Sequence, residues 1–291
     1  MIEINNLEVY YGTKLALSID QKIELNANDR IGIIGSNGSG KTTFVRAILD
    51  LVKCKGEIKK AISIDDIAVH MQDNNYIETF KVKFIIESIL DTKIKDNKKL
   101  ADIIKFFDFE ESLTKTFKQL SGGQKQRLTI ILVLMQDRKL TFFDEVTSGL
   151  DFETRKVLME KIKQWYEDKD SALCIVSHYF EELEQIANKI LIIEQGEIID
   201  FDTPQNLFKK YCGHSIVVLD NNEYNQALCQ SEKRILAPEH LIALSFASSE
   251  AEIVFSNVLI EKNIGYKRSN TDLEIMYFNA KKRGVDNEKD L

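Results

Sequence analysis

The sequence predicts an α/β fold: a mainly parallel sheet core, an antiparallel β subdomain, a helical subdomain and a small α+β C-terminal extension. Three observations lead there. From Leu140 the chain alternates continuous apolar strands with helices: LTFF, a helix over 152–168, ALCIVS, a helix over 180–189, then ILIIE. Unbroken apolar strands separated by helices belong to parallel sheets covered on both faces. A second apolar strand, with Ile31, Ile33 and Ile34, runs straight into a glycine-rich turn, and TTFVRAILDLV after it has apolar residues at helical spacing. Residues 78–118 keep helical periodicity and many charges, with no glycine or proline to interrupt them.

The elements follow in order. IEINNLEVYY and LALSIDQKIEL alternate apolar and polar residues, as half-buried antiparallel strands do. The helical subdomain is expected over about 78–136. A boundary is expected near Tyr211 to Gly213, after the helix that Pro204 begins, giving units 1–212 and 213–291. The second unit is read as a strand (SIVVL), a helix, a second strand (EIVFSNVLI) and a last helix near 272–282. Its charged tail, VDNEKDL, is read as frayed.

Composition narrows the function classes. The chain has 291 residues, 44% apolar and 29% charged, enough to bury a real core, and its net charge is −7. Residues 1–212 carry a net −4 and residues 213–291 a net −3. Neither has the basic excess that phosphate-backbone contacts require, which argues against nucleic acid as a partner. Cys54, Cys174, Cys212 and Cys229 form no CxxC pair and no metal-like spacing, so they read as thiols in a reducing cytoplasm. MIEINNLEVYYG lacks a signal-peptide pattern, and apolar runs such as Ile130 to Met135 fall short of the roughly 18 residues a membrane span needs. The chain is read as soluble.

Gly35-Ser36-Asn37-Gly38-Ser39-Gly40-Lys41-Thr42 fits GxxxxGK[ST] between a predicted strand and a predicted helix. Glycines let backbone N–H groups turn inward, and the helix start offers further donors to an anion. Lys41 can reach the β- and γ-phosphates of ATP and Thr42 can ligate Mg²⁺, with Thr43 in the same nucleotide-binding set. Leu140 to Glu145 is an apolar strand ending in two acids, at the end of a parallel strand where such sheets bind ligands. Asp144 suits the Mg²⁺ shell, directly or through water, and Glu145 suits polarising an attacking water as general base.

Leu120-Ser121-Gly122-Gly123-Gln124-Lys125-Gln126-Arg127, 23 residues before Asp144, resembles the signature motif of ABC ATPases. With the phosphate loop and the acid pair, the resemblance covers about residues 1–212 and implies a P-loop NTPase fold of the ABC type. It implies that two such domains, alike or different, pack head to tail. Ser121, Gly122, Gly123 and Gln124 of one would then complete the other's nucleotide site. Ser148 to Asp151 is similar to the loop running between the two sites. His178, ending a strand 33 residues after Glu145, matches the histidine that contacts the γ-phosphate and orients the water. Gln72 resembles the glutamine that touches Mg²⁺ and water and signals to the membrane partner, whose helices would seat near Gln72 to Phe80. His70 is read as structural. Tyr11 is similar to the aromatic that stacks on adenine, with Tyr10 as competitor. Where the family often has proline after the catalytic glutamate, this chain has Val146.

The resemblance implies the ATP-hydrolysing subunit of an ABC transporter, peripheral on the inner face of the cell membrane through a separate permease. Asn270 to Phe278 loosely resembles the ending of drug, antibiotic and peptide exporter ATPases, whereas importer subunits often carry longer β-rich regulatory domains there. Export is the expected direction; an importer subunit or a soluble iron–sulfur assembly ATPase is the alternative.

Overall fold

A computed structural model describes residues 1–70 and 76–287, with side chains to residue 282. Gln72 and the end of the charged tail lie outside the described residues.

The antiparallel strands at the N-terminus form as their alternation requires. β1 (Ile2–Tyr11) buries Ile2, Ile4, Leu7 and Val9, so the two-residue period slips once, at Asn5 and Asn6. The slip is a bulge: the register against β5 (Cys54–Lys60) shifts between Asn5 and Glu8, and Asn6 takes a left-handed φ of 43°. Gly56 lies opposite, where any Cβ would collide with the Asn6 carbonyl. β2 (Lys14–Ile19) and β3 (Ile23–Leu25) also pair with β1 antiparallel.

The remaining strands of this sheet are β4 (Arg30–Ile34), β6 (Ile67–His70), β7 (Leu140–Asp144), β8 (Ala172–Val176), β9 (Lys189–Glu194) and β10 (Glu197–Asp202). Their neighbours run β9–β4–β8–β7–β6, all parallel, and β10 turns back antiparallel on β9 to join β2. One curled, mixed sheet results. Its strands are continuously apolar because both faces are covered. Ile31, Ile33, Cys174, Val176, Leu191 and Ile193 pack with Phe44, Val45 and Ile48 of α1 (Lys41–Ile48). Leu173, Ile175, Ile190 and Ile192 point the other way, toward Leu158 and Ile162 of α5 (Phe152–Tyr166) and Leu183 of α6 (Phe180–Ile186).

Residues 78–136 hold α2 (Val82–Ile89), α3 (Lys98–Phe106) and α4 (Gly122–Leu134). With no glycine over 78–118, these helices end on aspartates instead. Asp91, Asp108 and Asp137 adopt φ near +50° just past α2, α3 and α4, as Asp50 does after α1. A short polar side chain tolerates that conformation better than most.

α7 (Pro204–Cys212) starts on Pro204 with Thr203 as its cap. Beyond it come β11 (Ser215–Asp220), α8 (Glu223–Leu228), β12 (Arg234–Ile235), β13 (Leu241–Phe246), α9 (Ser249–Glu261), β14 (Lys267–Ser269) and α10 (Leu273–Asn287). The four strands form a separate antiparallel sheet in the order β12–β13–β11–β14, a split βαβ arrangement. One expectation is corrected here: EIVFSNVLI is helix α9, not a strand. Its β-branched residues read as strand, but Ser248 caps the N-terminus by accepting from the Ala251 amide. Glu252, Phe255, Ser256 and Leu259 then bury one helical face against the sheet. The missing strand is LIALSF, β13. The extension does not stand apart, since Leu273, Ile275, Met276 and Ala280 of α10 join the same core as Leu183 and Leu207.

Candidate functional site

The phosphate-loop sequence sits between β4 and α1, at the carboxyl ends of the parallel strands. Two glycines there are required by geometry. Gly40 takes φ 112° at the N-cap of α1, and a Cβ at Gly35 would collide with the Ile193 carbonyl. Lys41 folds back over the loop, its Nζ donating to the carbonyls of Gly35 (2.8 Å) and Ser36 (3.0 Å). Burial pushes its ammonium below the ordinary lysine value, while the carboxylates of Glu145, Asp144 and Glu194 pull the other way. Among the described residues the buried Ser39 hydroxyl beside it has no hydrogen-bond partner, so this loop holds a donor that an acceptor could satisfy.

Thr42 Oγ1 lies 3.4 Å from Asp144 Oδ2, at the end of β7. Burial and then the adjacent Glu145 carboxylate push Asp144 above the usual carboxylate range, against Thr42, Lys41 and Arg46. A buried carboxylate beside a second one and a hydroxyl is a hard-oxygen environment that a divalent cation would relieve. Among the described residues no group of three or more His, Cys, Asp or Glu side chains is arranged to hold a metal. The donors present therefore fit Mg²⁺ held by one or two side chains together with phosphate oxygens and water.

Glu145 follows Asp144 in a left-handed conformation, φ 50°, with its amide donating to the Val176 carbonyl (3.0 Å). This turn aims the carboxylate at His178, whose Nε2 stands 2.9 Å from Glu145 Oε1. A non-glycine residue held there stores roughly 1–3 kcal/mol of strain, the kind found at functional positions. Val146, in the place of proline, is buried and joins the core.

A cleft of about 760 Å³ brings together Tyr11, Asn37 to Thr43, Glu145 and His178. Of the two tyrosines, Tyr11 stands in this cleft, 44% exposed. The Tyr10 hydroxyl instead donates to Glu8, beneath the Lys55 ammonium. Gly35 and Ser36 sit behind the cleft, with Ser36 turned toward Glu194: its N–H donates to Oε1 (2.9 Å) and its hydroxyl to Oε2 (2.6 Å).

The signature residues lie elsewhere. Ser121 is the N-cap of α4, in a reciprocal box with Gln124: its Oγ accepts from the Gln124 amide and its N–H donates to Gln124 Oε1. Gly122 and Gly123 open that helix beside Leu150. Asp151 caps α5, accepting from the Thr154 amide (2.9 Å) and hydroxyl (2.7 Å). None of these borders the cleft of its own chain. Sequence reasoning missed Glu194, Gln195 and Gly196, which close the loop from behind and below. The signal was present: Glu194 is an acid ending a buried parallel strand, as Asp144 is.

His70 is buried in β6, its Nε2 3.1 Å from Gln126 Oε1 and its ring 5.9 Å from that of Phe143. Burial lowers its pKa to about 4, against 6.5 for the free side chain. The folded protein thus holds it neutral where the unfolded chain takes up a proton. Its contribution is complete above about pH 6.5 and is lost as pH falls toward 4, by up to about 3 kcal/mol. His70→Gln should flatten that fall, measured as urea unfolding free energy at pH 5 and pH 7.5. A parallel fall in both proteins would exclude His70 as the titrating group.

Comparison with known proteins gives a consistent neighbourhood. A family model described as "ABC transporter" matches residues 20–148. ABC transporter C family member 15 of Dictyostelium discoideum is 28% identical over 77% of this chain and 17% of that protein. The methionine import ATP-binding protein MetN of Lactococcus lactis is 28% identical over 87% of this chain and 80% of its own length. The energy-coupling factor transporter ATP-binding protein EcfA1 of Mycoplasma mycoides is 31% identical, over 70% of this chain and 54% of that protein. A solved "ATP binding subunit of ABC transporter" superposes with a TM-score of 0.64 at 18% identity, covering 72% of this chain and 93% of its own.

Proposed function

This chain carries an ABC transporter ATP-binding domain, a P-loop ATPase, and from that premise we propose that it powers a separate membrane permease. One observation carries the reading: Lys41, Thr42, Glu145 and His178 converge on one cleft, with Asp144 against Thr42. Asn37 to Thr43 and Lys41 bind the phosphates of ATP, and Tyr11 packs on the base at the cleft mouth. Thr42 and Asp144 would hold Mg²⁺, which would supply charge neutralisation at the phosphates; Gln72, outside the described residues, keeps only the role that the resemblance implies. Glu145 takes a proton from the attacking water, and His178 keeps the carboxylate oriented. Ser121, Gly122, Gly123 and Asp151, which do not line their own chain's cleft, complete the site of a second ATPase subunit. ATP across that interface favours the closed pair, and loss of the γ-phosphate releases it.

No helix among the described residues is long and apolar enough to cross a membrane. The permease therefore supplies the span in this reading, and the subunit sits on the inner face of the membrane. Exposed Ile77, Phe80 and Phe84 are the apolar surface on which it would seat. Residues 1–212 are assigned to the ATPase domain and 213–291 to an accessory region.

For direction, import is favoured over the export reading drawn from Asn270 to Phe278. MetN is named as a methionine import protein, and residues 215–269 hold a four-stranded sheet rather than a short tail. The test is transport in vesicles that hold this chain with a co-purified permease. Accumulation on the side bearing the ATPase, driven by ATP on that side, is expected. ATP-driven loss from that side would restore the export reading, and absence of any permease partner would remove the transport role.

A further inference from the structure

α10 of the C-terminal region reaches the phosphate loop through one buried carboxylate. Glu194, the last residue of β9, is 5% exposed and holds Ser36 with both oxygens, at 2.9 and 2.6 Å. The Tyr277 hydroxyl of α10 donates to Oε1 of the same carboxylate, and Lys281, one turn further, stands 3.7 Å from Oε2. Burial alone would raise the pKa of Glu194, yet the donors from Ser36, Tyr277 and Lys281 hold it below the usual range. It is therefore a fixed anion held by three residues, two contacts coming from Ser36 and one each from Tyr277 and Lys281. Ser36 in turn offers its carbonyl to Lys41 Nζ at 3.0 Å.

The same tyrosine has a second hold on the site. Its ring lies 5.5 Å from that of Phe180, two residues after His178. The Leu273 amide, at the start of α10, donates to Glu184 on α6 (2.9 Å). Asp272 caps α10 by accepting from the Ile275 amide and also meets Lys267 of β14 at 2.8 Å. The accessory sheet is thus connected, through the cap of α10, to α6 and to the Glu194–Ser36 contact behind the phosphate loop.

We propose that Tyr277 is a positioning residue for ATP binding: through Glu194 it fixes Ser36, and so makes the shape of the phosphate loop depend on the seating of the C-terminal region. The proposal rests on the cleft being the ATP site. Tyr277 touches no nucleotide in this scheme and should act on affinity rather than on the chemical step. Ser36 spends its N–H and hydroxyl on Glu194, so it anchors the loop while Asn37 to Thr43 face the ligand.

Tyr277→Phe removes only the hydroxyl and keeps the ring against Phe180, so the variant should fold. Two measurements on the full chain test it. Without nucleotide, hydrogen exchange read by mass spectrometry should rise in peptides covering residues 35–38 and stay unchanged in β7. With nucleotide, the Kd for a fluorescent ATP analogue and the KM for ATP should both rise about 3- to 10-fold, with kcat within about twofold of wild type. Combining Tyr277→Phe with Glu194→Gln should cost less than the two changes added separately, because they cut the same connection. Tyr224→Phe, on the exposed face of α8, is the control and should change neither measurement. Unchanged loop exchange, or a fall in kcat at unchanged KM, overturns the proposal. Wild-type protein that fails to bind the analogue would instead overturn the assignment of the cleft, and the exchange result would still decide the connection.

Discussion

Glu145→Gln should bind ATP as the natural protein does and hydrolyse it about 10²–10⁴ times more slowly, the usual weight of a general base. The geometry separates the two effects. The Glu145 carboxylate faces His178 at 2.9 Å, at the edge of the cleft, while the groups proposed to grip phosphate, Asn37 to Thr43, line the rest of it. Glutamine has the same shape and accepts the same left-handed turn, and the amide hydrogen bond to Val176 is main-chain only. The fold is therefore kept, and only the capacity to take a proton is removed. The amide also removes the Glu145 charge that adds to burial in holding Asp144 above its usual range, so affinity for Mg²⁺ and ATP together should fall little. The check is phosphate release beside a fluorescent-nucleotide titration of the same preparation. Turnover near that of the natural protein would remove Glu145 from the mechanism. His178→Ala should reproduce part of the loss, because it removes the contact at 2.9 Å that orients the carboxylate in this reading.

Much of this site was legible in the sequence for a physical reason. A phosphate loop needs its glycines, its lysine and its hydroxyl within eight consecutive residues, so the motif is complete in one stretch from Gly35 to Thr42. The acids at 144 and 145 announce themselves by ending an apolar strand. What escaped was assembled across distance. Glu194 meets Ser36 over 158 positions and Tyr277 meets Glu194 over 83, and nothing local marks either pair. Asp151 and Gln124 show a different difficulty: their residue types suit nucleotide binding, yet within this chain both are occupied as helix caps. Helix α9 was misread because β-branched residues favour strands only weakly, and a well-capped amphipathic helix overrides them. The direction of transport was read from a nine-residue resemblance, whereas those residues mainly build the start of α10 and its hold on α6 and β9.

Lys41→Met should abolish useful ATP binding, by about 2–5 kcal/mol, or roughly 30- to 5,000-fold, because truncating one member of a desolvated charge pair leaves the other uncompensated. Methionine keeps the apolar stem that packs at the start of α1 and removes the ammonium alone. Before ligand arrives, that ammonium bridges the Gly35 and Ser36 carbonyls and feels the charge of the Asp144 and Glu145 carboxylates. Its removal should therefore act twice: phosphate would lose its charge partner, and the two acids would repel the incoming anion with only Arg46 of the cations acting on Asp144 left to oppose them. The second effect has its own signature. Asp144→Asn added to Lys41→Met should restore part of the affinity for nucleotide measured without Mg²⁺, since one of the repelling charges is gone. If Lys41→Met binds ATP within about threefold of the natural protein, the phosphates do not lie along Asn37 to Thr43. If it binds poorly and the asparagine change restores nothing, the lysine contributes by attraction alone and the acid pair is already neutralised before ATP enters.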